Sequence, residues 1–263
     1  MRTIAHISDL HFGRHDPRKV AALLKSLAEN RADLIAVSGD LTQRARNAEF
    51  AEARHFLDRI AQPVLVVPGN HDVPLYDVRR RFLKPFSKFH RHIAPTGVDE
   101  CIYTDEEMVV LGLNTARRFT WKNGRVSGDQ MAHIRHIFSH LSANVWKVVM
   151  THHPIASTHG EARVELAGRS MLALRALADA GVHLLLSGHH HRPASGEAHA
   201  ELLLKGSVLV VHAGTAVSTR TRGPDGNSYN LIRLEPGSVV VRIMAWSDHG
   251  FEEIQETRYA VAA

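Results

Sequence analysis

Through the first part of the chain, short apolar runs alternate with segments in which apolar residues recur at helical spacing. Residues 3–8 form the first strand-like run. Residues 17–30 follow with Val20, Leu23, Leu24 and Leu27 on one face, which predicts a helix. The pattern then repeats. A strand is expected over 33–38, a helix over 47–60 with Phe50, Phe56, Leu57 and Ile60 as its apolar positions, and a strand over 64–67. Strands that alternate with helices in this way pair in parallel, with helices covering the sheet.

The pattern changes after residue 74. Leu75, Val78 and Phe82 precede a break at Pro85, and Phe86, Phe89 and Ile93 follow it, so two short helices are expected within 75–93. Strand-like runs come at 101–104 and 108–113. A helix is expected over 129–141, with Ser127 placed to cap it, then a strand over 145–150, a helix over 169–180 and a strand over 182–186. Beyond these the chain is mostly β, at 207–212, 229–234 and 239–245, and the tail from Asp248 has no clear period. The reading is one domain over 1–263 with an α/β fold of four layers, αββα. Two mixed sheets pack together between flanking helices, and 74–98 forms a helical, lid-like insertion.

Five polar fragments stand out because each directly follows an apolar run. Asp9 and His11 follow the first strand, Asp40 the second, and Asn70, His71 and Asp72 the third; His152 and His153, then His189, His190 and His191, follow two later ones. Ligands of α/β sheets bind beyond the carboxyl ends of the strands, so these fragments can converge on one point. Gly39, Gly69 and Gly188 are placed to turn the chain tightly there. Within Asp9-x-His11 and His189-x-His191, an extended backbone would put the outer residues on one side. The predicted cluster mixes carboxylate, amide and imidazole with no thiolate, a donor set suited to manganese, iron or zinc. Seven candidate ligands exceed the about three or four protein ligands of one zinc ion, which favours two ions sharing a carboxylate.

Composition narrows the field only a little. The 263 residues, 44% apolar and 22% charged, suit one large soluble core. No apolar run approaches the ~18 residues of a membrane span, and the N-terminus has no basic start or small-residue cleavage site, so a cytoplasmic location is expected. A single cysteine, Cys101, excludes an intramolecular disulfide framework and reads as a small buried residue. Lys and Arg number 32 against 27 Asp and Glu, a net +5 that suits an anionic ligand. Twenty histidines make any lone histidine weak evidence, so only those in ordered motifs carry weight. No Walker loop, G-x-G-x-x-G fingerprint or G-x-S-x-G elbow is present.

The ordered set D-x-H, G-D, G-N-H-D, H-H-P and G-H-x-H resembles the calcineurin-like metallophosphoesterase superfamily, with G-N-H-D its most specific block. The opening Ile7-Ser8-Asp9-Leu10-His11-Phe12-Gly13 is similar to bacterial class III cyclic-nucleotide phosphodiesterases. The resemblance implies one metal on Asp9, His11, Asp40 and His191, and a second on Asp40, Asn70, His152 and His189, with Asp40 bridging. It implies in-line attack on a phosphodiester by a hydroxide between the two ions, with His71 contacting phosphate and protonating the leaving oxygen. Asp72 is a further candidate at the catalytic centre; it either orients a neighbouring histidine or caps a helix beginning near Pro74. A 3′,5′-cyclic nucleotide is the leading substrate. A UDP-2,3-diacylglucosamine-type pyrophosphate, a glycerophosphodiester and a nucleic acid are alternatives, as is a binding protein without catalysis.

The remaining polar residues carry less. His153 and His190 adjoin candidate ligands and are expected to face away or to support them, and His6 to lie in the core. His90, His92, His133, His136 and His140 fall in helical segments and are expected at the surface. Residues 75–93 hold Arg79, Arg80, Arg81, Lys84, Lys88 and Arg91 with Asp77 as the only acid. This stretch is either a basic lid over the site or a pair of helices with solvated basic faces. The second is simpler, because the aromatics fall at helical core spacing. Arg117, Arg118, Lys122 and Arg125 form a second basic loop that either lines the site or is exposed. The partner expected is a small anionic phosphoester, with no stable nucleic-acid partner. A membrane surface and a second copy of the chain are the further partners the sequence allows.

Overall fold

The computed structural model describes residues 1–94, 100–142, 144–158, 165–198, 208–221 and 226–261. The elements run β1 (Arg2–Ile7), α1 (Pro17–Asn30), β2 (Leu34–Val37), α2 (Asn47–Leu57), β3 (Val64–Val66), α3 (Val78–Leu83), α4 (Ser87–His92), β4 (Glu100–Thr104) and β5 (Met108–Leu113). They continue α5 (Gly128–Ser139), β6 (Trp146–Thr151), α6 (Ser170–Asp179), β7 (Leu184–Ser187), β8 (Ala194–Glu197), β9 (Leu209–His212), β10 (Ser228–Glu235), β11 (Ser238–Ser247) and β12 (Gly250–Ala260).

Two mixed six-stranded sheets result. The first has the order β12-β11-β10-β1-β2-β3 and the second β4-β5-β6-β7-β9-β8. In the first, β1, β2 and β3 are parallel and the rest antiparallel; in the second, β5, β6, β7 and β9 are parallel, with antiparallel strands at both edges. Alternation along each strand sends side chains to two cores. Ile4, Leu34, Val148, Leu184, Leu186 and Ile232 fill the space between the sheets. Ala5, Ile7, Ile35 and Val37 face Leu23, Leu27, Phe50 and Phe56 of α1 and α2, while Val149 and Leu185 face Ile134, Phe138, Leu174 and Leu177 of α5 and α6. Helix, sheet, sheet, helix is the four-layer αββα arrangement.

Local chemistry sets the helix limits. Asp16 accepts from Arg18 N and Pro17 opens α1; Ser127 and Gln130 form a reciprocal capping box on α5, as the sequence leads one to expect of Ser127. α2 ends at Leu57, three residues before its apolar pattern does, because Arg59 and Ile60 bond back three residues, to Phe56 O and Leu57 O, in a tightening turn. Residues 75–93 form two short helices separated at Lys84–Phe86, while the end of the 74–98 insertion lies partly outside the described residues. The tail is a strand. β12 pairs antiparallel with β11, so residues 250–260 extend their own sheet. Ser207 lies outside the described residues, and β8 has no counterpart in the sequence pattern. No helix among the described residues is long and apolar enough to cross a membrane.

Two surface expectations are corrected. His133, His136 and His140 are exposed, but His90 and His92 are half-buried, and the His92 ring stacks on Phe50 with centroids 5.9 Å apart. Phe86 and Phe89 pack into the α1–α2 core, whereas Tyr76, Val78, Phe82 and Leu83 stand exposed.

Cys101 packs against the inter-sheet core and donates to Val66 O at 3.3 Å. Burial pushes its thiol up to about 12. The thiolate is the reactive form, so the native protein is expected to resist a disulfide reagent at pH 8 and to react fully in guanidinium. Prompt reaction of the native protein would contradict this packing.

Candidate metal centre

The five polar fragments meet where the carboxyl ends of β1, β2, β3, β6 and β7 come together at one edge of both sheets. Asp9, His11, Asp40, His152, His189 and His191 are all buried there, and Asn70 and His71 are partly buried. Asp9, His11 and His191 form one group of converging ligand atoms, and His152, His153 and His189 form another. Asp40 stands between them: its Oδ2 is 3.9 Å from His11 Nε2 and 3.5 Å from His152 Nε2. Asn70 Oδ1 lies 3.3 Å from His152 Nε2.

The backbone that achieves this is not extended, as the D-x-H and H-x-H spacing had suggested. Asp9, His11, Asp40, His189 and His191 have φ of 53°, 48°, 51°, 74° and 60°. Five non-glycine residues in the left-handed region cost conformational energy and persist only where the surroundings over-determine them. The glycines act differently from one another. Of Gly39, Gly69 and Gly188, only Gly39 has positive φ, at 91°. Gly188 matters for close approach, since a Cβ there would collide with Ser8 Oγ and lie 2.7 Å from Asp9 Oδ2.

Backbone groups fix the side chains. Ser8 Oγ and His189 N donate to Asp9 Oδ2 at 2.6 and 3.0 Å, and His71 N donates to Asp40 Oδ1 at 2.8 Å. His152, His191 and His71 lie with Nδ1 at 2.7, 3.0 and 2.8 Å from the carbonyls of Ser38, Arg220 and Gln43. A carbonyl only accepts, so Nδ1 carries the proton in each and Nε2 is left towards the site. His153 is held from behind, with Nδ1 2.8 Å from Thr115 Oγ1 and Nε2 3.0 Å from Lys122 O. His6 lies beneath in the core, its Nε2 2.9 Å from Ser38 Oγ.

The electrostatics call for cations. Burial would raise the Asp9 and Asp40 carboxyls, but the surrounding imidazoles outweigh it and hold both below the usual range. Burial drives His11 down to about 4 and His189 to about 3. His152 is buried as deeply, yet Asp40 and Asp9 outweigh the burial and bring it up to about 9. The protein alone therefore matches its buried carboxylates with imidazolium protons. Nitrogens also confront one another: His11 and His191 Nε2 are 3.2 Å apart, and His189 Nδ1 is 3.3 Å from His152 Nε2. Buried Asp9 Oδ1 has no hydrogen bond of regular geometry and faces His191 Nε2 at 3.1 Å and His11 Nε2 at 3.7 Å. Imidazole nitrogens packed this closely on one another and on buried carboxylates fit bound metal, which displaces protons from such donors. Two groups of donors on either side of Asp40 fit two ions.

Asp72 has another task. It is buried, and its carboxylate accepts from Leu41 N, Thr42 N, Gly69 N and Thr42 Oγ1 at 2.9 to 3.2 Å. It neither faces a histidine nor caps a helix; it ties the loop after β2 to the loop after β3. A cavity of about 210 Å³ opens over the site between Arg44, Leu75, Trp121 and Lys122. Of the second basic loop, Lys122 reaches this cavity, while Arg117 bonds Asn114 O, Ala116 O and Gln130 Oε1. The supporting carbonyls of Ser38, Gln43 and Arg220 escape sequence reading, because every residue has a carbonyl.

The family model for calcineurin-like phosphoesterases matches residues 2–193. The chain belongs to that family. It is 27% identical over 207 residues to a probable cyclic nucleotide phosphodiesterase of Synechococcus sp., covering 72% of this chain and 73% of that one. It is 36% identical over 81 residues to a glycerophosphodiester phosphodiesterase of Enterobacter lignolyticus, a match spanning 26% of this chain and 29% of the other. A dimetal phosphatase from Danio rerio shares the fold, with a TM-score of 0.70 at 12% identity over 99% of both chains. The chain is thus a calcineurin-like metallophosphoesterase with two mixed sheets and a His/Asp centre at their edge.

Asp72→Ala strands three buried N–H groups at roughly 1–3 kcal/mol each before relaxation. Urea unfolding is expected to show a loss of about 3 kcal/mol or more. Unchanged stability with abolished turnover would instead place Asp72 in the chemistry.

Proposed function

We propose that the protein is a metal-dependent phosphodiesterase acting on a small diester, with a 3′,5′-cyclic nucleotide as its leading substrate. In this reading Asp9, His11, Asp40 and His191 hold one ion, and Asp40, Asn70, His152 and His189 hold the other. Manganese, iron and zinc all suit these donors. Two ions there supply Lewis-acid polarisation of a phosphoryl oxygen and a water acidic enough to act as nucleophile near neutral pH.

The observation that carries the reading is the placement of His71. Its Nδ1 is held by Gln43 O, and its ring lies 4.8 Å from that of His11 at the cavity, grouped with His11 and Asp40. Only Nε2 is then left to exchange a proton, which supports reading His71 as the group that protonates a departing alkoxide. Arg44 at the cavity wall adds positive charge for a phosphoryl group, as does Lys122, whose ammonium also pairs with Glu165 at 2.9 Å. At about 210 Å³ the cavity is smaller than the ~300–1,000 Å³ of typical small-molecule sites, so it suits the ester itself, with the rest of the molecule at the mouth. The cyclic-nucleotide reading takes further support from a relative of that name aligned over 72% of the chain, against 26% for the glycerophosphodiesterase.

The test is a substrate panel on metal-stripped protein reloaded with Mn²⁺, comparing bis-p-nitrophenyl phosphate, p-nitrophenyl phosphate, 3′,5′-cAMP and glycerophosphocholine. Turnover of the aryl diester and cAMP is expected. His71→Ala is expected to slow cAMP hydrolysis by about a hundredfold or more, and the aryl diester far less, because nitrophenolate departs without a proton. Diester turnover with no cyclic-nucleotide turnover would remove the substrate assignment. Equal losses on both esters would remove the acid role.

A further inference from the structure

Eleven large apolar side chains are exposed among the described residues, and six of them belong to two neighbouring segments: Tyr76, Val78, Phe82, Leu83, Phe119 and Trp121. Tyr76, Leu83 and Phe119 are 73%, 69% and 71% exposed. The segments form one surface. The Phe82 and Phe119 rings lie 5.7 Å apart, and Arg118 donates to Phe82 O at 3.0 Å. Arg81, buried beneath, donates to Pro74 O, Arg118 O and Thr120 O, and the Trp121 ring covers its guanidinium at 4.6 Å. This staple holds exposed aromatics in place, where a solvated loop would have no use for such fixing.

Cations surround the apolar patch. Arg79 and Lys84 are exposed and form no ion pair among the described residues, Arg118 lies over Phe119 at 4.7 Å, and Arg44 lies over Tyr76 at 5.2 Å. The one acid within α3 and its cap is Asp77, which Arg80 already occupies at 3.7 Å. Trp121 and Arg44 also border the cavity of the metal centre, so the patch begins at the mouth of that cavity. Aromatic rings with basic neighbours match the boundary between acyl chains and anionic headgroups: the rings enter the interface and the cations meet phosphate. Contiguous exposed apolar surface of this kind marks an interaction site.

We infer that the face formed by α3 and the 117–121 loop docks peripherally on anionic lipid bilayers, bringing the mouth of the metal centre to headgroup level. The inference goes beyond the phosphodiesterase reading and stands whichever ester is cleaved.

Flotation with lipid vesicles tests it without any activity readout. The protein is expected to float with vesicles of equal parts phosphatidylglycerol and phosphatidylcholine, and not with phosphatidylcholine alone. Added salt should weaken the association, since exposed charges are screened. Leu83→Ser with Phe119→Ser, and separately Arg79→Glu with Lys84→Glu, are each expected to cut binding by about tenfold or more. Met171→Ser with Leu172→Ser, an exposed apolar pair on α6, should leave binding unchanged. The charge variant keeps the test decisive if the Phe119 change disturbs folding. Failure to float with anionic vesicles, or undiminished flotation of the charge variant, would overturn the inference. So would a dimer in sedimentation that the apolar variant dissolves while no vesicle is bound, which would give the patch to a second copy of the chain.

Discussion

Two buried carboxylates set the terms for the rest of this molecule. Asp9 and Asp40 sit at the seam of two sheets with essentially no exposure to water. Burying a charge is costly unless opposite charge accompanies it. The imidazoles of His152 and His191 can supply part of that charge as protons. His11 and His189 are pushed the other way and remain neutral donors. The site thus gathers carboxylates and imidazoles whose charge is balanced by protons in the protein alone, and bound metal would take the place of those protons.

The fold is organised to hold that centre rigid. The strands that deliver the donors send Val, Ile and Leu side chains into the cores on both sides of their sheets, which anchors them between the layers. Their ends then turn through left-handed φ at Asp9, His11, Asp40, His189 and His191. Such local strain needs dense support. Asp72 supplies it between the second and third loops, and Thr215 Oγ1 donates to Asp9 O at 2.7 Å. Carbonyls of Ser38, Gln43 and Arg220 set the histidine tautomers. The apolar–basic face beside the cavity is held in the same manner, by a buried arginine bonded to backbone carbonyls.

Much of this was legible from residue order alone. Asp9, His11, Asp40, Asn70, His71, His152, His189 and His191 each follow an apolar run, and strands that end together bring their next residues together. What stayed hidden has specific causes. The left-handed turns leave no mark at Asp9 or His191, since the spacing D-x-H reads equally well as extended chain. Asp72 looked like a partner for histidine or a helix cap because its real partners are backbone N–H groups, which sequence does not distinguish. β8 spans Ala194, Ser195, Gly196 and Glu197, residues with little strand preference, and only pairing with β9 makes it a strand. β12 is a mostly exposed edge strand in which only Phe251 and Tyr259 pack against the cores, and its pairing with β11 shifts register, so it lacks the alternation that reveals a half-buried strand. Phe82 and Phe86 have the same helical spacing, yet one is exposed and the other packed; periodicity reports a face, and tertiary structure decides what covers it.

The most direct measurement is anomalous diffraction from crystals grown with Mn²⁺, collected for the wild type and for Asp40→Ala. Two anomalous peaks, both within coordinating distance of the Asp40 carboxylate and together contacting Asp9, His11, Asn70, His152, His189 and His191, are the expected result. The Asp40→Ala crystals should lose at least one peak. A single peak away from Asp40, or two peaks unaffected by Asp40→Ala, would contradict the claim that this buried carboxylate joins two cation sites.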